Sequence, residues 1–141
     1  MSSSIPAFSV FSAISELFVT AGVLVIVFRN RRGLRFSLAI FLAVALFEAF
    51  VNVMYMSMRA SQAASGAHPI APGLRIFFAL HGMLSLVAYL VFVILGVFAY
   101  QDQKNGRFFF RERPAVTWSF LAVWLVSVAS GEALFVLRYL V

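Results

Sequence analysis

Four long apolar runs separated by three short polar segments set the plan of this chain. The runs cover roughly residues 7–28, 36–58, 74–100 and 115–139. A helix needs about 20 mostly apolar residues to cross a hydrocarbon core ~30 Å thick, at ~1.5 Å of rise per residue, and all four runs are long enough. The interruptions have identifiable causes. Residues 29–35 form a charged turn around Gly33, and residues 61–73 are rich in Ala, Ser, Gly and Pro. Residues 101–114 contain the turn pair Asn105-Gly106, with Pro114 set to stiffen the start of the fourth helix. Connections this short favour antiparallel neighbours. The pattern therefore predicts an all-α membrane protein, with four transmembrane helices in an antiparallel up-down-up-down bundle and a single domain over residues 1–141. Residues 1–10 lack a basic leader region and the run after them is long enough to span, so it is expected to be a retained first helix.

Composition strengthens this reading. Of 141 residues, 63% are apolar and 11% charged, whereas a soluble domain carries about 25% charged residues. The mean hydropathy is +0.99. Polar sequence is too scarce to coat a water-facing surface, so lipid is the expected solvent for most of the exterior. The absence of cysteine excludes disulfides, thiolate zinc sites, iron–sulfur clusters and covalently attached c-type haem from within the chain.

The excess of Lys and Arg, 11 against 5 acids, raises the question of nucleic acid. The positions answer it. Arg29, Arg31, Arg32 and Arg35 fill the first loop, and Lys104, Arg107, Arg111 and Arg113 fill the third, whereas Arg59, Arg75 and Arg138 are scattered elsewhere. That distribution is a topology signal. It predicts no nucleic-acid partner, places the first and third loops in the cytoplasm, and leaves both termini extracytoplasmic in a multi-pass protein of the inner (plasma) membrane. The run Phe108-Phe109-Phe110 beside Arg111 and Arg113 is expected to anchor in the headgroup layer, aromatic rings in the interface and guanidinium groups toward anionic lipid.

Ionisable groups inside the spans carry the functional information. Glu16, Glu48 and Glu132 lie within apolar runs, as does His81. An ionised carboxylate there costs several kcal/mol unless it is paired or protonated. Counted from the outer end of each helix, all four sit at depths between about 9 and 15 Å. One polar group per helix at one level is what a shared site in a bundle core requires. Residues at helical spacing extend the stripe: Ser12 and Thr20 beside Glu16, Asn52 and Tyr55 beside Glu48, and Ser85 beside His81, with Tyr139 seven positions beyond Glu132.

Several chemistries suit such a stripe. The plainest is a structural network hydrogen-bonded across helices. A metal site would use Glu16, Glu48, His81 and Glu132 as ligands, a donor set that suits a divalent iron, manganese or zinc. The paired Glu-x-x-His motifs of a ferritin-like di-iron centre are absent. A proton relay or a small-ligand pocket would use the same residues. Copper is less favoured: Met54, Met56, Met58 and Met83 offer soft thioethers, but positions 54, 56 and 58 cannot share one helix face. His68, the other histidine, lies before Pro69 in the second loop and is expected to be a solvated loop residue, so a bis-histidine haem is not supported. Gly22, Gly82, Gly96 and Gly131 permit close helix approach, but no GxxxG pair lies within a span. No nucleophile elbow, phosphate loop or dinucleotide fingerprint occurs, so no catalytic residues are assigned and a membrane enzyme ranks last.

The second half of the chain adds a resemblance. Phe78 through His81, then Gly106-Arg107-Phe108, Trp118, Trp124, Ser127-Val128, Gly131 and Tyr139 resemble a family of small four-helix bacterial membrane proteins of unknown function. Some of its members lie beside cytochrome c oxidase genes or act in oxidase maturation. The resemblance covers about half of the chain well and the first half loosely. Family members typically carry further histidines where this sequence has Arg31-Arg32, Tyr55-Met56 and Arg111-Glu112-Arg113. Only the third-helix histidine corresponds, as His81, and Glu48 and Glu132 would be this chain's own substitutes. The resemblance implies a respiratory oxidase subunit as partner. The combined expectation is a membrane accessory protein with a buried Glu/His site near the outer leaflet, assisting assembly or metallation of a respiratory oxidase. The alternative is a structural or interaction subunit with no bound cofactor.

Overall fold

The computed structural model describes residues 5–66 and 70–141, so His68 and the expectation attached to it lie outside the described residues. The described chain folds as α1 (Ala7–Arg31), α2 (Leu38–Ser65), α3 (Pro72–Lys104), a single turn α4 (Phe109–Glu112) and α5 (Pro114–Tyr139). The four long helices are each apolar enough to cross a membrane. Their starts follow from local chemistry. The Ser37 hydroxyl accepts from the Ile40 backbone N–H and caps α2, while Pro72 and Pro114 occupy first-turn positions where no N–H is needed.

Two helices outrun the apolar stretches that announced them. α2 continues through Ser61-Gln62-Ala63-Ala64-Ser65, and α3 through Gln101-Asp102-Gln103-Lys104. Nothing in either stretch breaks a helix, since Ala, Gln and Lys are good helix formers and water can solvate polar side chains beyond the hydrocarbon. At 33 residues, α3 is about 50 Å long, well beyond a ~30 Å core.

Packing places α1 and α3 each between α2 and α5, with no close backbone approach across either diagonal among the described residues. Contacting positions run in opposite sequence directions around the ring. Phe8 meets Tyr55 and Gly22 meets Val44; Ala45 meets Tyr89 and Phe41 meets Gly96. Likewise His81 meets Ser130 and Phe92 meets Phe120, while Thr20 meets Trp124 and Ser9 meets Tyr139.

The interior is divided along its length. One half is apolar, built from Val19, Val23, Ile26, Val27, Phe36, Phe41, Ala45, Phe92, Leu95, Ala99, Phe120, Leu121 and Trp124. Rings of Phe41, Phe92, Phe120 and Trp124 stack through it at centroid distances of 5.2 to 6.2 Å. Gly96 makes room for them, because a Cβ there would collide with the Phe41 ring. The other half, toward both termini, holds Glu16, Glu48, His81 and Glu132.

The third loop departs from expectation. Phe109 and Phe110 are 5% and 1% exposed, so they pack as part of the core rather than lying in the headgroup layer. Polar contacts fix them there: Asn30 Oδ1 accepts from the Phe110 N–H at 2.9 Å, and the Phe110 carbonyl accepts from Thr117 and Arg31. The short turn α4 thus plugs the apolar half.

Candidate functional site: a carboxyl–imidazole cluster in the polar half

Residue 131 of α5 is glycine, and that vacancy shapes the site. A methyl group on it would lie 2.8 Å from His81 Cε1, 3.0 Å from Glu16 Oε2 and 3.1 Å from His81 Nε2. Both side chains therefore fill one niche, from α3 and α1, with their polar atoms no more than about 6 Å apart. On its other side Glu16 lines a small cavity with Glu48, Ser85, Ala88, Trp124, Ser127 and Val128. Its volume of about 10 Å³ is close to the space one water molecule needs, and carboxyls and hydroxyls in its wall supply partners for one. Glu132 directly follows Gly131 on α5. Glu16 is the hub.

The imidazole is fixed from α5. His81 Nδ1 lies 2.7 Å from Ser130 Oγ, and that hydroxyl donates to the Ser127 carbonyl at 2.7 Å. With its only proton committed, Ser130 accepts, which assigns the Nδ1–H tautomer to a neutral His81. The basic lone pair then sits on Nε2, facing the Gly131 niche with only a 3.4 Å contact to Ser85 Oγ. Ser85 in turn meets Ser127 Oγ at 2.9 Å.

The remaining residues of the stripe divide. Asn52 is exposed and its amide donates only to Glu48 of its own helix, at the backbone carbonyl and at Oε1. Tyr55 accepts from Arg59 Nε and Tyr139 from Arg59 Nη2, so both belong to a separate cluster at the rim. Thr20 accepts from Trp124 Nε1 at 3.0 Å, closing the site's lower edge where the aromatic stack begins. One oxygen of Glu132, Oε1, is buried without a partner.

A metal does not fit this arrangement. Among the described residues no three His, Asp or Glu side chains are close enough to hold one ion, and the cavity between Glu16 and Glu48 has room for little more than a water. The sequence-based ligand set for iron, manganese or zinc is thus not assembled. A copper site fares no better, since of Met54, Met56, Met58 and Met83 only Met54 is partly buried, the others being 66%, 40% and 68% exposed.

Sequence reasoning missed Ser127, Ser130 and the use made of Gly131. The signal was present: positions 127, 130 and 131 share one helix face at i, i+3 and i+4, all small or hydroxylated, opposite the helix that carries His81. The chain matches no known family, no curated protein and no solved structure. The resemblance drawn from the motif residues of the second half therefore rests on those residues alone.

Proposed function

We propose that this is an integral membrane accessory protein working through a protonatable Glu16, Glu48, His81 and Glu132 site, placed in the outer half of a bacterial plasma membrane with both termini outward. The observation that supports it most is the position of Glu16, which shares a niche with His81 and a water-sized cavity with Glu48. Carboxyl groups, an imidazole whose Nε2 has only a long contact to Ser85, and hydroxyls around a water-sized cavity are the components of a site that takes up and holds protons, or offers them to a bound partner. Below Trp124 the interior is aromatic and aliphatic as far as Asn30 and Thr117, so it offers no onward path. On this reading, exchange takes place with the side that the polar half faces.

The resemblance directs this site to a respiratory oxidase, as an assembly factor. A second reading, a structural subunit, has one specific observation in its favour: His81 Nδ1 on α3 is held at 2.7 Å by Ser130 on α5, as in an interhelical cross-link. Replacing Glu48 and Glu132 together by Gln separates the two. Gln keeps shape and most hydrogen-bonding capacity but cannot exchange a proton. In cells lacking the native gene, membranes carrying E48Q/E132Q are expected to contain the folded protein at normal level and to have lost most of the oxidase activity that the native chain restores. Full restoration of activity by the folded double variant would favour the structural subunit.

A further inference from the structure

The rim of the polar half carries two guanidinium groups, Arg59 and Arg138, that form no ion pair among the described residues. Arg59 on α2 lies over the rings of Phe8, Tyr55 and Phe78, at 5.8, 5.1 and 5.4 Å from their centroids, and donates to the hydroxyls of Tyr55 and Tyr139. Arg138 on α5 lies over Phe78 and Tyr139 at 5.5 and 5.4 Å. The two cations therefore share the Phe78 ring, from which each lies about 5.5 Å, and their centres are no more than about 11 Å apart. All four long helices contribute to this cage, and Arg59 reaches across the bundle diagonal to Tyr139.

No acidic side chain of the protein pairs with either group. The chain has five: Asp102 pairs with Arg113 and Glu112 with Arg107 at the far end of the bundle, and Glu16, Glu48 and Glu132 form no ion pair among the described residues. The undescribed residues contain no acid. Nη1 of Arg138 is buried with no acceptor. Aromatic faces hold a guanidinium but do not neutralise it, and two like charges on one ring repel unless an anion sits between or above them.

We propose that Arg59 and Arg138 form a binding site for the phosphate of an anionic phospholipid headgroup in the leaflet at this end of the bundle. Guanidinium forks match phosphate oxygens, an aromatic girdle is where a membrane protein meets headgroups, and phosphate is the abundant anion at that depth. The site is independent of the Glu16 cluster, and the basic loops of the opposite end serve as its internal control.

The test is thermal unfolding of the full chain in nanodiscs of phosphatidylcholine, with and without phosphatidylglycerol, repeated with inorganic phosphate in place of the anionic lipid. The native chain is expected to unfold at higher temperature with phosphatidylglycerol. R138Q, which removes no hydrogen bond of the cage, and R59K, which keeps the charge but not the fork, are each expected to lose most of that rise. R111Q, at the opposite end, is expected to keep it. An undiminished rise in both rim variants, or an equal loss in R111Q, would overturn the proposal. A rise with inorganic phosphate that the rim variants also lose would reassign the site to free phosphate and overturn the lipid as its ligand.

Discussion

Gly131 shows how one missing side chain creates a site. Its Cα faces the space into which Glu16 and His81 both project, and Ala there would meet His81 Cε1 at 2.8 Å. Glu16 ends in a flexible carboxyl that can withdraw, whereas the His81 ring is tethered to Ser130. Gly131→Ala is therefore expected to fold with a loss of about 1 kcal/mol, at the low end of overpacking costs, while separating the carboxyl from the imidazole. Unfolding in mild detergent checks the first half of that expectation and oxidase activity in complemented membranes the second. The acids and the histidine were legible from sequence because a charge inside an apolar run has no bland surface explanation. Ser127, Ser130 and the use of Gly131 were not, because small and hydroxylated residues are common in membrane helices and their meaning depends on which helix faces them.

At the scale of elements, hydropathy located every span but misplaced several ends. A spanning helix is marked by the lipid it displaces, so residues 61–65 and 101–104, helical but beyond the hydrocarbon, carry no such mark. The third loop was misread for a related reason. Phe108-Phe109-Phe110 beside arginines has the composition of an interfacial anchor, yet Asn30, 1% exposed, turns it inward by accepting the Phe110 N–H. A lone Asn at a helix end gives no hint in sequence of such a long-range contact. Asn30→Ala leaves that N–H without its partner in a site closed to water and is expected to cost about 1–3 kcal/mol. The loss should appear as a lower unfolding midpoint together with faster proteolysis at Arg107, just before α4, and at Arg111 within it.

The whole molecule is polarised along its axis: aromatic packing and basic loops at one end, carboxyls, imidazole and the arginine cage at the other. The positive-inside rule predicts that the basic end lies in the cytoplasm. The lack of cysteine makes the check clean, since single Cys residues can be introduced at Ser65 and Leu34, both exposed and at opposite ends. In intact cells an impermeant thiol reagent is expected to label the Cys at 65 and to spare the one at 34, and the reverse pattern would invert the topology. Function through the polar half requires Glu16, Glu48, His81 and Glu132 to act as one site rather than as isolated interhelical contacts. Carboxyl groups that share a site titrate together, so a change at one is felt by the others. The most direct measurement follows the side-chain carboxyl carbon of Glu16 by NMR across pH, in the ¹³C-labelled native chain, in E48Q and in E132Q, with E112Q at the far end as control. E48Q and E132Q are each expected to shift the Glu16 titration while E112Q leaves it in place; a Glu16 titration that is the same in all four proteins would show that these groups do not form one site.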